Sequence, residues 1–432
     1  MLFKDISIFD GRFELHEHQW VGVGASGRID YIGSEAPADP SAFGEVYDGR
    51  RKLLMPGMFN AHAHAPMTLL RGYAENLPLQ RWLFEMVFPF EARMTDDDVL
   101  PAMRLAVAEM LRFGTVGFSD MYFNSDVRAQ VVGESGIKCN MSHSISEFAG
   151  ARYADTPFKG INDHLISAYH GAFDGRLLVD YCLHSEYTTR EPIVRDVAAV
   201  ARESGLGLQV HVSETQQEHE ECKQRHGGLT PVQYLESCGV LDVPVTAAHC
   251  VWLEPQDIEI MKAHGATVAT CPASNMKLGS GVPPVPRYLD AGLRVALGTD
   301  GPASNNNHNM FQDLYLMLLA NRGVDRDPVG ITPEQALTIA TANGAQAQGR
   351  EDCGKLELGF KADLIVLDLD SPWMMPVTDL ARNVVYAANG SDVVLTMVDG
   401  RVLYRDGEYL TIDIERAMFE TQAARDSIVS RL

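Results

Sequence analysis

Thiol chemistry is thinly represented in this sequence. Its seven cysteines are odd in number and scattered, with no CxxC pair, so neither a disulfide framework nor a thiolate metal site is indicated. They read as small buried hydrophobes in a reducing compartment. Long apolar runs are missing too, and none reaches the roughly 18 residues of a membrane span. The start, MLFKDISIFD, lacks the basic-then-apolar order of a signal peptide. A cytoplasmic location is therefore expected, and the glycosylation-type triplets at Asn140 and Asn389 read as chance matches. Positive charge is in deficit: 36 Lys and Arg stand against 58 Asp and Glu, a net charge of −22. That balance argues against nucleic acid and against anionic membranes as partners. There is no low-complexity segment and no short repeat.

What is present is a core-forming chain of 432 residues, 46% hydrophobic, far from the profile of a disordered polypeptide. Apolar β-like runs end near Met58–His64, Thr115–Met121, Ile137–His143, Leu177–His184, Leu206–Val212, Val243–His249, Ala266–Cys271 and Leu293–Asp300. Helical periodicity lies between them. In one such stretch Val99, Met103, Ala106, Val107 and Met110 recur on one face, with Asp97 and Asp98 expected as N-caps, Pro101 in the first turn and Gly114 as the stop. Others run near Glu191–Glu203, Thr230–Ser237 and Pro255–Ala263. Strands alternating with helices imply parallel pairing, and eight units predict a closed (β/α)₈ barrel of the TIM type over residues 56–354. An open doubly wound sheet is the alternative. Thr332-Pro-Glu-Gln335 reads as a capping box that opens a helix closing this region.

The two ends read differently. Residues 1–55 and 355–432 carry short alternating strands with turns at Asp10-Gly11, Asp399-Gly400 and Asp406-Gly407, strong hairpin signals. Each end alone is too small for a dry core. Together they predict one composite β-sandwich domain beside the barrel, followed by a C-terminal tail.

Chemistry-bearing residues recur at the strand ends. His62-Ala-His64 closes the first, and residues two apart in a strand point the same way. Alone, this pair also fits two surface histidines in a loop. His211 lies opposite the alternating Leu206, Leu208, Val210 and Val212, with Glu214 just beyond. His249 ends the sixth strand. Asp300 ends the eighth before Gly-Pro, where a turn or cap role is the simple reading. The barrel brings these ends around one axis, and four accidents of that kind are rare. Imidazole and carboxylate donors suit a divalent ion: Zn²⁺ first, with Fe²⁺ or Mn²⁺ also accommodated.

The segments PGMFNAHAHAPMTLLRG, LQRWLFEMVFPFEAR, FGTVGFSDMYF, HVSET, AAHCVWL, CPASNMKLGSG, LGTDGPASNNN and GKLELGFKADLIVLDL stand in order along nearly the whole chain. In them the chain resembles the amidohydrolase superfamily and, within it, the 5′-methylthioadenosine/S-adenosylhomocysteine deaminases. The resemblance implies one metal held by His62, His64, His211 and Asp300. The fourth strand, LLVDYCLHSE, has no lysine to bridge a second. It also implies hydrolytic deamination at C6 of an adenosine-type nucleoside. Glu214 would give a proton to N1, His249 would orient the attacking water, and Asp300 would carry a proton to the departing ammonia. Glu91 would accept from the ribose hydroxyls, and His184 would contact ring or sugar. Trp82, Phe84 and Phe88 would line an apolar pocket for the 5′ substituent.

Two features depart from the pattern. Ser185-Glu186 follows His184 where relatives tend to carry Pro, which puts a charge near the expected pocket. Arg152 is the nearest counterpart of an arginine the family uses after strand three. Alternatives are deamination or dechlorination of guanine, a pterin, cytosine or an s-triazine, or a non-catalytic scaffold on the same fold. The resemblance further suggests a homo-oligomer.

Overall fold

A computed structural model describes residues 1–432. Eight parallel strands carry the centre of the molecule: β1 (Met58–Ala63), β2 (Thr115–Tyr122), β3 (Lys138–His143), β4 in two runs (Leu177–Val179 and Tyr181–Ser185), β5 (Leu208–Val212), β6 (Val245–His249), β7 (Thr267–Thr270) and β8 (Arg294–Leu297). They pair in chain order. The break in β4 falls at Asp180, whose backbone N–H still donates to Met141 O at 3.0 Å, so the register continues across it. A parallel bridge between Ala63 and Asp300 joins β8 to β1, and the N–H groups of Thr299 and Asp300 both donate to His62 O. The circuit of eight strands is therefore closed. Nearly every strand residue is buried, as expected when a parallel sheet is covered on both faces.

Most of the expected helices occur at or within a residue or two of their expected limits, including Glu191–Ser204, Pro231–Ser237 and Pro255–Ala263. The Thr332/Gln335 capping box is present. One start differs. The helix expected from Asp97 or Asp98 begins at Asp96, with Thr95 as N-cap and Asp98 closing a capping box from the third position. Pro101 consequently sits in the second turn, where its absent N–H leaves Asp97 O without a helical partner.

The two ends of the chain meet in one nine-stranded sheet. Lys52–Pro56 pairs in parallel with Leu2–Phe9 and antiparallel with Leu364–Asp368. Positive φ at both residues of Asp399-Gly400 and of Asp406-Gly407 forms the two C-terminal hairpin turns. The sheet curls until its far edge meets its middle, with Ile29 N–H donating to Phe360 O at 2.9 Å. Phe3, Ile6, Val21, Leu54, Val366 and Leu395 fill the enclosed core. Buried Lys138, at the base of β3, pairs with Asp363 and Asp399 and fixes this sheet to the barrel floor. The final helix, Ile414–Ser430, returns to the barrel side, where Arg431 reaches Asp98 at 2.9 Å. No helix is long and apolar enough to cross a membrane.

Candidate metal centre and substrate cleft

The strand ends gather His62, His64, His211, His249 and Asp300, all buried, into one cluster. Regular strand geometry does not achieve this alone. Val210 pairs with Ala247 and Val212 with His249, so simple alternation would send His249 into the apolar layer with Val212. Left-handed backbone at His249 (φ 70°) turns its ring into the mouth instead. Ser213 (φ 46°) and Asp300 (φ 58°) share that conformation. It is uncommon outside glycine and accumulates at functional sites. Gly298, just before Asp300, has no room for a side chain: a Cβ would lie 3.0 Å from His62 Cβ.

His64 Nδ1 donates to Met121 O and His211 Nδ1 donates to His184 O, both at 2.5 Å. With a proton on Nδ1, each Nε2 presents a lone pair when its ring is neutral. The two Nε2 atoms stand 3.3 Å apart, and against burial, which lowers it, Asp300 raises the His64 imidazole through hydrogen bonding and charge. His62 Nε2 is buried without a partner. Asp300 Oδ1 lies 3.2 Å from His64 Nε2 and 3.5 Å from His62 Nε2. Two ligands about 2.1 Å from one tetrahedral ion stand roughly 3.4 Å apart, and these spacings match. Burial pushes the His62 imidazole down to about 4, against the pull of Asp300, and sends His211 well below its ordinary range. Both are therefore neutral, as ligation requires. For Asp300, burial opposes ionisation, but the neighbouring His62, His64 and His249 rings outweigh it and hold the carboxyl well below the usual range.

Several residues that hold this constellation escaped the sequence reading. Asp300 Oδ2 accepts from Ser274 Oγ at 2.6 Å and Ser304 Oγ at 2.8 Å. His249 Nδ1 meets Asn275 Oδ1 at 2.8 Å. A signal for them existed: the tetrapeptide PASN occurs twice, at 272–275 and 302–305, once after each of the last two strands. Glu218 was also missed. Its two carboxylate oxygens accept the N–H groups of Ser213 (3.0 Å) and Glu214 (2.7 Å) and clamp the strained turn after β5. Glu214 is buried 3.8 Å from His249 Nε2, and Ser280 Oγ approaches it at 3.4 Å. Burial raises its carboxyl, with His249 opposing.

A cleft opens above the cluster. Glu91, Trp82, Phe88 and His184 line it together with Glu214, His249 and Asp300. Glu91 Oε1 is buried without a partner. Burial pushes its carboxyl up to about 7, against the effects of Tyr122 and His64. His184 is pushed down to about 3 by burial and then by His64 and His62. Its Nδ1 lies between the hydroxyls of Ser185 and Thr188 at 3.2 and 3.1 Å. Trp82 and Phe88 are brought in by a widened turn: Trp82–Val87 is π-helical, and Phe88 N–H reaches back to Leu83 O. Pro89 lacks the N–H that would continue an α-helical ladder there.

Three expectations fail. Arg152 lies outside the cleft. Glu147 accepts the N–H groups of Ala149, Gly150 and Ala151, and this turn carries Arg152 outward to pair with Asp196 at 2.5 Å. Glu186 adds no net charge to the cleft, because the Arg225 guanidinium pairs with it in the wall at 2.7 Å, and His226 Nε2 also lies 2.7 Å from it. Phe84 is exposed and outside the cleft lining, its ring packed edge-on against Phe88 at 5.3 Å.

Residues 53–403 match the amidohydrolase family. The chain is 41% identical over 386 residues to a 5-methylthioadenosine/S-adenosylhomocysteine deaminase of Dictyoglomus thermophilum, covering 89% of this chain and 90% of the relative. It is 38% identical over 406 residues to a 5′-deoxyadenosine deaminase of Methanosarcina mazei, covering 94% and 93%. Among solved structures, an adenosine deaminase from Xanthomonas campestris with bound zinc superposes with a TM-score of 0.93 at 28% identity, covering 99% and 98%.

Proposed function

The chain belongs to the amidohydrolase family, and from that premise we propose that it is a metal-dependent hydrolytic deaminase of adenosine-type nucleosides. Its substrates would be 5′-methylthioadenosine, S-adenosylhomocysteine, 5′-deoxyadenosine or adenosine, and its products the inosine analogue and ammonia. The observation that carries the metal assignment is the convergence of buried Nε2 atoms beside Asp300: those of His64 and His211 stand 3.3 Å apart, and that of His62 has no hydrogen-bond partner. His62, His64, His211 and Asp300 would hold Zn²⁺, and the same donors accept Fe²⁺ or Mn²⁺. An ion bound there lowers the pKa of water to about 7 and makes a nucleophile available at neutral pH.

The remaining chemistry belongs to side chains. Glu214, with its carboxyl raised by burial, would donate a proton to N1 of the ring as C6 is attacked. Asp300, kept ionised, accepts a proton from the attacking water and passes it to the leaving amine. His249, oriented through Asn275, hydrogen-bonds the attacking oxygen. Glu91 accepts from the ribose diol, which satisfies its buried Oε1. His184 Nδ1 accepts from the flanking hydroxyls, which leaves Nε2 as a donor to ring or sugar. Trp82 and Phe88 wall the 5′ end. The seven unpaired, buried cysteines suit a cytoplasmic setting.

The test is ammonia release from a panel of nucleosides and free bases, run with metal analysis. Glu214→Gln should keep its metal and lose about 10²–10⁴-fold in kcat. Turnover of free bases but not nucleosides overturns the substrate class. A protein with no stoichiometric metal and no metal-restored activity is a scaffold.

A further inference from the structure

The relatives carry names for both charged and uncharged 5′ substituents at nearly equal identity, so identity alone does not choose between them. The cleft does. It is lined by three carboxylate residues, Glu91, Glu214 and Asp300, and by no lysine or arginine. Four basic residues in the segments after the strands are engaged elsewhere, and Arg93, two residues from Glu91, is exposed and outside the lining. Arg152 pairs with Asp196. Arg190 donates to Phe148 O. Arg225 is bound to Glu186, and Lys277 to Glu75 at 2.9 Å. The polar groups left to a ligand are neutral hydroxyls such as Ser144 and Tyr187, weaker partners for an anion than a guanidinium fork. The rest of the wall, with Leu79, Trp82, Leu83, Phe88 and Leu278, is apolar.

We propose that this protein selects adenosine-type substrates whose 5′ group is uncharged and discriminates against those bearing a 5′-linked carboxylate or phosphate. The selection rests on the deaminase reading above. A methyl or methylthio group loses only water on entering this wall. The carboxylate of an amino-acid tail, or a 5′-phosphate, gives up its hydration and finds no cation in return. The chain's net charge of −22 adds long-range repulsion of anions. Away from the metal ligands, the position of the 5′ group along the cleft does not alter the conclusion, since no lysine or arginine lines any part of it.

The experiment measures kcat/KM of the metal-loaded enzyme for 5′-deoxyadenosine, 5′-methylthioadenosine, 5′-butylthioadenosine, S-adenosylhomocysteine and adenosine 5′-phosphate. The butylthio compound matches the length of the homocysteine tail without its charge. The three uncharged substrates should exceed both charged ones by ~10²-fold, as expected when a charged group is left unpaired. Comparable turnover of S-adenosylhomocysteine and 5′-methylthioadenosine overturns the proposal. So does equal failure of the butylthio and homocysteine compounds, which makes length the discriminator. No turnover of any nucleoside defeats the deaminase reading itself, a distinct result.

Discussion

Replacing Arg128 by methionine should destabilise the protein strongly while leaving every metal ligand in the sequence. Arg128 is fully buried and sits against equally buried Asp120 at 2.7 Å. Its other guanidinium nitrogens donate to the carbonyls of Phe123 (2.7 Å), Tyr122 (2.9 Å) and Ser142 (3.0 Å). Asp120 in turn accepts the Ala65 N–H at 2.7 Å, next to His64, and Met121 O receives the His64 ring. Arg128→Met strands a carboxylate in the interior, a change that costs about 3–5 kcal/mol. At ~2.1 cal/mol/K per residue, a chain of 432 residues has an unfolding entropy of roughly 0.9 kcal/mol/K. The thermal midpoint of the metal-free protein should then fall by about 3–6 °C, read by calorimetry or near-ultraviolet circular dichroism. Adding Asp120→Asn removes the stranded charge. The double variant should be less destabilised than the sum of the single variants by at least about 1.5 kcal/mol. If the two costs add within about 0.5 kcal/mol, the pair is not coupled and the reasoning is wrong.

Glu218→Gln keeps the size of the side chain but sets an amide NH₂ against one of the two backbone N–H donors it now serves. Metal content should be retained, with kcat reduced by about 10–100-fold, because Glu214 is no longer held; unchanged kcat would remove Glu218 from the positioning of that residue. Glu91 is protonated below about 7 and accepts from a ribose diol best when ionised. The KM for nucleosides should accordingly fall as pH rises through about 7, and Glu91→Gln should show a high, pH-independent KM. His143 and His308 are both held down to about 4 by burial. Lowered imidazoles leave the unfolded chain to bind protons first, so stability is lost as pH falls from about 6.5 towards 4. Two such groups contribute a slope of up to ~2.7 kcal/mol per pH unit. Replacing His143 by Gln should roughly halve the contribution of this pair, as read from urea midpoints at pH 4.5, 5.5 and 6.5.

Much of the architecture was legible before any coordinates. The eight apolar runs correspond to β1–β8 because buried parallel strands need continuous Val, Leu, Ile and Ala, a signal that survives without neighbours. The Asp399-Gly400 and Asp406-Gly407 hairpins were equally readable, since few other dipeptides tolerate two consecutive left-handed residues, whereas the loop after Asp10 makes its left-handed turn at Phe13 and not at Asp10-Gly11. His62, His64, His211 and Asp300 stood out as polar residues ending apolar strands. The start of the Pro101 helix was misplaced by two or three residues because three consecutive aspartates blur the cap, and Thr95 won through its reciprocal bond with Asp98.

Local sequence therefore determined which residues end strands and which chain ends lack a core of their own. Side-chain type and hydrophobic period are short-range properties and need no partner to be recognised. Direction was decided by the tertiary structure. His249 turns inward only because its backbone adopts a left-handed conformation, and Arg152 and Glu186 leave the cleft only because Asp196, Arg225 and His226 lie elsewhere to receive them. The roles of Glu218, Asn275, Ser274 and Ser304 exist through bonds to other segments of the chain. Such bonds depend on where distant segments arrive, and no local pattern encodes that.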